Sequence, residues 1–252
     1  TEIYTLSLHD ALPIYRCHPL TQRLVELLKN RAVGNVRVIQ ATFSFQTGFN
    51  PDSRLLADQH AGGGILDVGG YCTSMARLVA GVALGQPFAD PVSVTGAGHL
   101  GQTGVDEYAV ATLKFPGDIV ATLATGVRVR QENVVRIFGD EGNILVPSPW
   151  IPARDGGAEH IILARNDNPK PQRITVRCSQ PLYAVEADMV GRHIANRQPA
   201  PPAMTWADTL GNMKTLDAWR QAIGLTYSME TPGHVPPRSE EHTSELQSPN
   251  TN

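Results

Sequence analysis

The sequence is poor in residues that build disulfide frameworks or metal sites. Its three cysteines, Cys17, Cys72 and Cys178, are far apart and odd in number. That usage suits a reducing compartment and excludes both a disulfide framework and a zinc-binding cysteine pair. Four histidines show no metal-ligand spacing: His60, His99, His160 and His193. We therefore expect no metal site.

Long apolar runs and an excess of charge are also missing. No stretch of about 18 apolar residues occurs, so we expect no membrane span. The formal net charge of the 252 residues is -3, which offers no basic field to nucleic acid. A hydrophobic content of 41% and a charged content of 18% are ordinary for a globular protein. Together with the cysteine usage, this leads us to expect a cytoplasmic location.

The two ends of the chain differ in kind from the rest. Residues 238–248 have the sequence that a common sequencing-library adapter gives when it is translated in frame, and residues 1–14 resemble the opposite adapter. We expect 1–14 and 238–252 to be adapter-derived and non-native, with natural disordered termini as the alternative. Removing their five acidic residues and one basic residue from the totals of 24 and 21 leaves a formal charge of +1 for residues 15–237.

Within residues 15–237, apolar residues recur at helical spacing in four stretches and follow a strand pattern in seven others. Helices are predicted at 19–32, 65–80, 182–197 and 206–225. Strands are predicted at 36–46, 105–115, 118–129, 134–138, 143–146, 161–164 and 173–178. Strands grouped in one block with helices around them predict an α+β fold, an antiparallel sheet covered on one face.

Two glycine-rich segments invite a nucleotide-binding interpretation. Residues 96–101 satisfy G-x-G-x-x-G, but that motif needs a helix directly after it, and Gly104 with an alternating stretch follows instead. We predict a loop between strands there. The triple glycine Gly62 to Gly64 is not followed by the Lys-Ser/Thr of a phosphate-binding loop. Close packing at a helix start is the favoured interpretation, and a phosphate cradle is the alternative.

Residues 62–71, Gly-Gly-Gly-Ile-Leu-Asp-Val-Gly-Gly-Tyr, are the segment that indicates chemistry. In a helix, Asp67 and Tyr71 are four residues apart and share one face. A carboxylate beside a phenol is a candidate acid/base pair, although a phenol titrates near about 10 and needs a nearby cation to act near neutrality. A buried tyrosine bonded to a capping aspartate is the alternative.

Four segments resemble, in order, the Gfo/Idh/MocA oxidoreductases. They are Tyr15-Arg-Cys-His-Pro19, the predicted helix that stops at Gly34, residues 62–71 and residues 208–220. Within that family the chain resembles the branch of dihydrodiol dehydrogenase, glucose-fructose oxidoreductase and NADP-xylose dehydrogenase. Members join an N-terminal Rossmann domain to a C-terminal open-faced antiparallel sheet. The resemblance therefore implies that 15–237 is the substrate-binding and oligomerisation domain, with the Rossmann domain absent.

The resemblance also assigns roles to residues. It implies that Tyr71 is the acid/base, where many relatives carry histidine, with Asp67 orienting the site from behind. It implies that Tyr15, Arg16 and His18 lie near the nicotinamide of the cofactor, NADP or NAD. In the loop before the glycines, Arg54 is a candidate substrate contact, and a solvated loop arginine is the alternative.

The implied activity is hydride transfer to or from the carbinol carbon of a sugar, polyol or diol. The family's nucleotide loop and the lysine of its Glu-Lys-Pro segment both precede the Tyr-Arg-x-His-Pro segment, and only adapter-like sequence precedes Tyr15 here. We therefore expect a fragment that is inactive alone, and a homo-oligomer formed through the open sheet face. The alternative is a non-catalytic family member whose open sheet serves only as an association surface.

Overall fold

The structure is a computed structural model that describes residues 13–231. Of the two segments expected to be non-native, residues 1–12 and 238–252 lie outside the described residues. Pro13 and Ile14 lie inside them and are buried, with Ile14 only 5% exposed. The packed body therefore includes Pro13 and Ile14, and the boundary at Tyr15 stays a prediction.

The described residues form an α+β structure with four α-helices, as the sequence predicts. They form eight strands, one more than the seven predicted, because residues 93–100 are also a strand. The strands are β1 (Val36–Ser44), β2 (Ser93–Leu100), β3 (Asp106–Phe115), β4 (Ile119–Gly126), β5 (Val135–Gly139), β6 (Gly142–Val146), β7 (Gly157–Arg165) and β8 (Asn168–Cys178). The helices are α1 (Pro19–Lys29), α2 (Gly70–Ala83), α3 (Leu182–His193) and α4 (Trp206–Ala222). Short 3₁₀ turns occur at Ile14–Cys17, Asp58–His60, Ile194–Asn196 and Ser228–Glu230, and a π turn occurs at Ile65–Gly69.

All eight strands belong to one sheet in the order β2-β3-β4-β1-β5-β6-β7-β8. Neighbouring strands are antiparallel except β1 and β4, which run parallel with Val38 beside Val120. We expected a purely antiparallel sheet, and the β1–β4 pair departs from that expectation. A parallel pair needs a long crossover connection, and the chain between β1 and β4 supplies one that contains α2.

Alternation along β3 separates a covered face from an open one. Ala109, Ala111 and Leu113 are buried beneath the helices, whereas Tyr108 and Val110 are 41% and 52% exposed on the other side. We call that other side the open face. A half-buried strand of this kind gives the period-two pattern that made β3 predictable.

The helix ends follow from identifiable caps. His18 precedes α1, and its Nδ1 accepts a hydrogen bond from the N–H of Leu20 at 3.1 Å, while Pro19 occupies the first helical position. The helix ends at Lys29, three residues before the predicted end, because a turn with positive φ at Arg31 and Gly34 follows. The side chain of Thr205 caps α4 by accepting from the N–H of Asp208.

The second helical region does not end before Gly81, contrary to the prediction of a helix over 65–80. Helical residues run without a break from Ile65 through the π turn to Ala83. A Cβ added at Gly81 would lie 2.2 Å from Cα of Phe88, so glycine is required there by close packing.

Residues 96–101 do not form the predicted loop, because residues 96–100 are part of β2. Helix α4 lies against the glycines, and an added Cβ would be 3.3 Å from Trp219 at Gly96 and 3.0 Å from Ile223 at Gly98. The indole Nε1–H of Trp219 donates to the carbonyl of Val110 at 3.2 Å. These glycines therefore admit a packed helix, and a strand follows them where a nucleotide site would need a helix.

Among residues 13–231, no helix combines the length and apolar character that crossing a bilayer requires. The same residues contain no group of three or more His, Cys, Asp or Glu side chains placed to hold a metal ion.

Candidate active site

The triple glycine builds the start of the helical region that carries Asp67 and Tyr71. Gly63 has a φ of +110°, which favours glycine, and a Cβ there would lie 2.1 Å from Oδ1 of Asp106. A Cβ at Gly64 would lie 2.9 Å from Cα of Gly126. The segment is thus pressed against β3 and β4, which supports packing over a phosphate cradle.

Side chains from the sheet and from the C-terminal part of the domain hold this glycine turn. Asp106 Oδ2 accepts from the N–H of Ile65 at 2.8 Å. The hydroxyls of Thr125 and Tyr227 donate to the carbonyls of Gly64 and Gly62 at 3.0 and 2.7 Å. The turn is therefore fixed to the sheet, and the helical region begins from a rigid base.

Asp106 is a fully buried carboxyl group with an unusual pKa. Burial raises its pKa to about 7, against the opposing effect of N–H groups at Ile65, Asp106 itself and Gly64 and of the Arg220 charge. Its Oδ1 accepts no hydrogen bond from the described residues. Near neutral pH this group therefore exists in both protonation states.

Tyr71 lies on a base of aromatic rings at the start of α2. Its ring centroid is 5.2 Å from Phe43, 5.9 Å from Tyr15 and 6.2 Å from Trp150. Trp150 is itself held, because its Nε1–H donates to the carbonyl of Thr42 at 2.8 Å. Edge-on ring contacts of this kind fix the orientation of an aromatic side chain.

The hydroxyl group of Tyr71 is in a different situation from its ring. The residue is half-buried, and its hydroxyl has no hydrogen-bond partner among residues 13–231. Burial raises the pKa of Tyr71 well above its usual value, and the neighbouring Tyr183, Tyr15, Glu186 and Asp67 raise it further. The phenol is therefore neutral and available to an external group.

Asp67 and Arg54 form an ion pair beside this tyrosine. Arg54 Nη1 lies 2.8 Å from Oδ1 of Asp67, with side chains 65% and 11% exposed. Asp67 belongs to the π turn, and its effect on the pKa of Tyr71 indicates that the two side chains are near each other. Arg54 is thus neither buried nor merely solvated, because it links the loop to the site.

The three residues expected near the nicotinamide are all enclosed by the domain. Tyr15, Arg16 and His18 are 0%, 1% and 0% exposed. Burial raises the pKa of Tyr15 to about 12, and it lowers the pKa of His18. Direct contact between these side chains and a cofactor would require the surrounding packing to open.

Two residues of α3 reach the site without having been selected from the sequence. Tyr183, 57% exposed, and Glu186, three residues later on the same helix, both raise the pKa of Tyr71. Burial raises the pKa of Glu186 itself. Their i,i+3 spacing was the available signal, but nothing local connects α3 with Tyr71.

Comparison with known proteins identifies the domain. Residues 21–145 match the GFO/IDH/MocA C-terminal domain. The chain is 29% identical over 210 residues to an uncharacterized oxidoreductase of Rhizobium meliloti, covering 81% of this chain and 58% of that protein. It is 28% identical over 221 residues to the trans-1,2-dihydrobenzene-1,2-diol dehydrogenase of Xenopus tropicalis, covering 84% and 62%.

Solved structures show the same fold at lower sequence identity. A 3-ketoreductase from Actinomadura kijaniata, in complex with NADP and TDP-benzene, superposes with a TM-score of 0.66 at 18% identity, covering 83% of this chain and 61% of that one. An aldose-aldose oxidoreductase from Caulobacter crescentus, complexed with glycerol, superposes with a TM-score of 0.61 at 20% identity, covering 79% and 56%. The chain thus spans about three fifths of the length of these proteins. By the family match and the shared fold, the chain belongs to the Gfo/Idh/MocA oxidoreductase family and contains its C-terminal domain.

Proposed function

We propose that this domain forms the substrate side of an oxidoreductase that acts on the carbinol carbon of a sugar, polyol or diol with NADP or NAD. The observation that carries the proposal is the hydroxyl of Tyr71, unpaired among the described residues on a fixed aromatic base. A phenol held in this way can give or take the hydroxyl proton of a substrate. The relatives named for diols and aldoses support the substrate class.

The acid/base role requires a cation that lowers the pKa of Tyr71. Its environment raises that pKa, so the phenol holds its proton too tightly to exchange it near neutral pH. A lysine ammonium beside the hydroxyl would favour the phenolate and bring the pKa down. We infer that this lysine comes from a part of the enzyme other than residues 13–231, and that these residues alone are inactive.

Asp67 and Arg54 complete the proposed site. Asp67 orients Arg54 through the 2.8 Å ion pair, and 65% of the Arg54 side chain remains exposed. A guanidinium that a carboxylate orients and that is largely exposed can donate to a substrate oxygen. In this proposal, Arg54 holds the substrate while Tyr71 exchanges its proton.

The described residues do not fit the phosphates of a dinucleotide. The glycines at 96 and 98, which match the fingerprint, are covered by Trp219 and Ile223. When bound, the nicotinamide cofactor supplies the hydride chemistry, and the protein supplies position and proton transfer. We propose that a separate nucleotide-binding domain holds the cofactor, with Tyr15, Arg16 and His18 supporting the site from inside this one.

The test joins residues 15–237 to the nucleotide-binding domain of a relative and measures turnover of diols and pentoses. We expect Tyr71→Phe to lower kcat about 10²–10⁴-fold, because the ring stays and only the proton donor is lost. Asp67→Asn should cost less. Tyr108→Phe is the matched control, since it removes a phenol from the open face.

A change of kcat below about threefold in Tyr71→Phe, with a loss of thermal stability, would make Tyr71 a packing residue. A joined enzyme with no turnover in any variant would favour the non-catalytic alternative.

A second copy of the chain is the partner that we propose for the open face. Tyr108 and Val110 are exposed on β3, the second strand from one edge of the sheet, beside the polar Gln40, Thr112 and Thr122. Exposed apolar side chains on the face of a wide sheet are typical of a surface that a partner covers. The three unpaired cysteines support a reducing, cytoplasmic location.

A further inference from the structure

A buried ion network lies behind the proposed active site. Asp208 of α4 is 2.6 Å from Nη2 of Arg16, and both side chains are at most 2% exposed. The same carboxylate bonds Arg77 of α2, whose side chain is fully buried and reaches Asp90 at 2.7 Å. Gly211 makes room for this contact, because a Cβ there would lie 2.0 Å from Nη2 of Arg77.

Arg16 carries the network into helix α2, one turn after Tyr71. Its Nη1 donates to the backbone carbonyl of Ser74 at 3.0 Å and to the hydroxyl of Ser74 at 2.9 Å. Ser74 is fully buried and three residues after Tyr71, so the two residues are helical neighbours. The guanidinium therefore holds the turn of the helix on which Tyr71 is carried.

Tyr15 connects this hydrogen-bonded group with the ring of Tyr71. Its hydroxyl donates to Ser74 Oγ at 3.2 Å and lies 3.4 Å from the carbonyl oxygen of Tyr71. Its ring contacts the ring of Tyr71 at a centroid distance of 5.9 Å. A continuous chain of contacts thus runs from Asp208 through Arg16, Ser74 and Tyr15 to Tyr71.

We propose that Arg16, Ser74 and Tyr15 are positioning residues that fix the ring of Tyr71, with Asp208 holding Arg16 in place. This inference rests on the proposed function only for its purpose, since the contacts exist whatever Tyr71 does. A catalytic group must be held close to its productive geometry by neighbours that are themselves locked. Burial gives Arg16 this role in place of the direct cofactor contact that the resemblance implies.

The test uses the 252-residue chain without cofactor or substrate. The six tyrosines are replaced by 3-fluorotyrosine, and the fluorine resonance of Tyr71 is assigned as the one lost in Tyr71→Phe. Ser74→Ala removes the hydroxyl that joins Arg16 to Tyr15 and leaves the aromatic rings unchanged. We expect it to shift or broaden the Tyr71 resonance because Tyr15 loses its 3.2 Å partner.

Thr73→Val is the matched control. Thr73 is the preceding residue of α2, is also fully buried, and bonds Asn212 at 2.8 Å instead of Arg16 or Tyr15. We expect this variant to leave the Tyr71 resonance in place. Tyr15→Phe provides a second test of the same connection if Ser74→Ala does not fold.

The position of the Tyr71 resonance decides the outcome. Shifts in Ser74→Ala or Tyr15→Phe that Thr73→Val does not show would support positioning. A Tyr71 resonance that stays at its wild-type position in all three variants would overturn it. Because this measurement needs no turnover, an active Tyr71→Phe enzyme would refute the acid/base proposal and leave the positioning result standing.

Discussion

Asp106→Asn should change how the stability of this domain depends on pH. Asp106 is fully buried, and burial raises its pKa from 3.8 to about 7. The folded chain therefore binds a proton at this site more tightly than the unfolded chain does. The resulting stabilisation is fully present below pH about 4 and is lost as the pH rises through about 7.

The magnitude follows from these two pKa values. At 1.36 kcal/mol per pKa unit, a difference of about 3 corresponds to about 4 kcal/mol over the whole titration. Between pH 5 and pH 8 the wild-type free energy of unfolding should fall by about 2–3 kcal/mol through this group alone. Asparagine cannot ionise, has nearly the same size, and can still accept from the N–H of Ile65, so the variant should lack this fall.

Urea unfolding at closely spaced pH values measures the effect. The difference between the wild type and Asp106→Asn isolates the group, because other titrating residues such as His18 are common to both chains. Asp167→Asn is the control, since that side chain is 71% exposed, and its curve should follow the wild type. Parallel curves for wild type and Asp106→Asn from pH 5 to 8 would refute the reasoning and mean that Asp106 is ionised in the folded chain at pH 5.

Three further predictions concern the ion network, the open face and the cofactor. Asp208→Ala should lower the free energy of unfolding by about 3–5 kcal/mol, because Arg16 and Arg77 stay buried without their shared carboxylate. Urea unfolding measures this, and a loss below about 1 kcal/mol would contradict it. Val110→Lys should reduce the sedimentation coefficient to that of a monomer, whereas an unchanged coefficient would exclude the open face as the contact. Calorimetry of the 252-residue chain with NADPH and NADH should show no binding at high micromolar concentration, and micromolar affinity abolished by Gly98→Val would mean that the glycine motif is a real site.

Local patterns predicted the elements but not their ends. Helix α1 was predictable because leucines recur on one face and Pro19 fits its first position. Gly81 misled the prediction because glycine is also used where a backbone approaches closely, here the backbone of Phe88. The sequence shows that a residue is glycine, and only the packing shows which of these two reasons applies.

The glycines of β2 are a long-range case of the same ambiguity. Gly96 and Gly98 indicated a loop because glycine weakens a strand. Their partners, Trp219 and Ile223, lie more than 120 residues away in sequence, and α4 contacts them only in the folded domain. No local sequence pattern shows that α4 packs on these glycines. The nucleotide-binding interpretation could be rejected from the sequence, because it depends on the residues that directly follow the motif.

In the candidate site, too, residues that are close in sequence were predictable and those that depend on distant contacts were not. Asp67 and Tyr71 are near each other in sequence, so their pairing was a local prediction. Asp106 is the second residue of the strand predicted at 105–115 and is followed by Glu107, and acidic residues at the start of a strand are usually solvated. Its burial depends on the glycine turn that the fold brings to it, more than 40 residues away.

The buried carboxylate and the triple glycine depend on each other. A buried carboxyl group needs N–H donors, and the N–H of Ile65 reaches Asp106 only because the backbone of Gly63 and Gly64 passes within a distance that leaves no room for a Cβ. In turn, a backbone without side chains would be loose if Asp106, Thr125 and Tyr227 did not bond it. This mutual requirement fixes the first turn of the helical region to the sheet. The phenol of Tyr71, two turns further along the same helical region, is therefore carried on a backbone that the sheet holds in place.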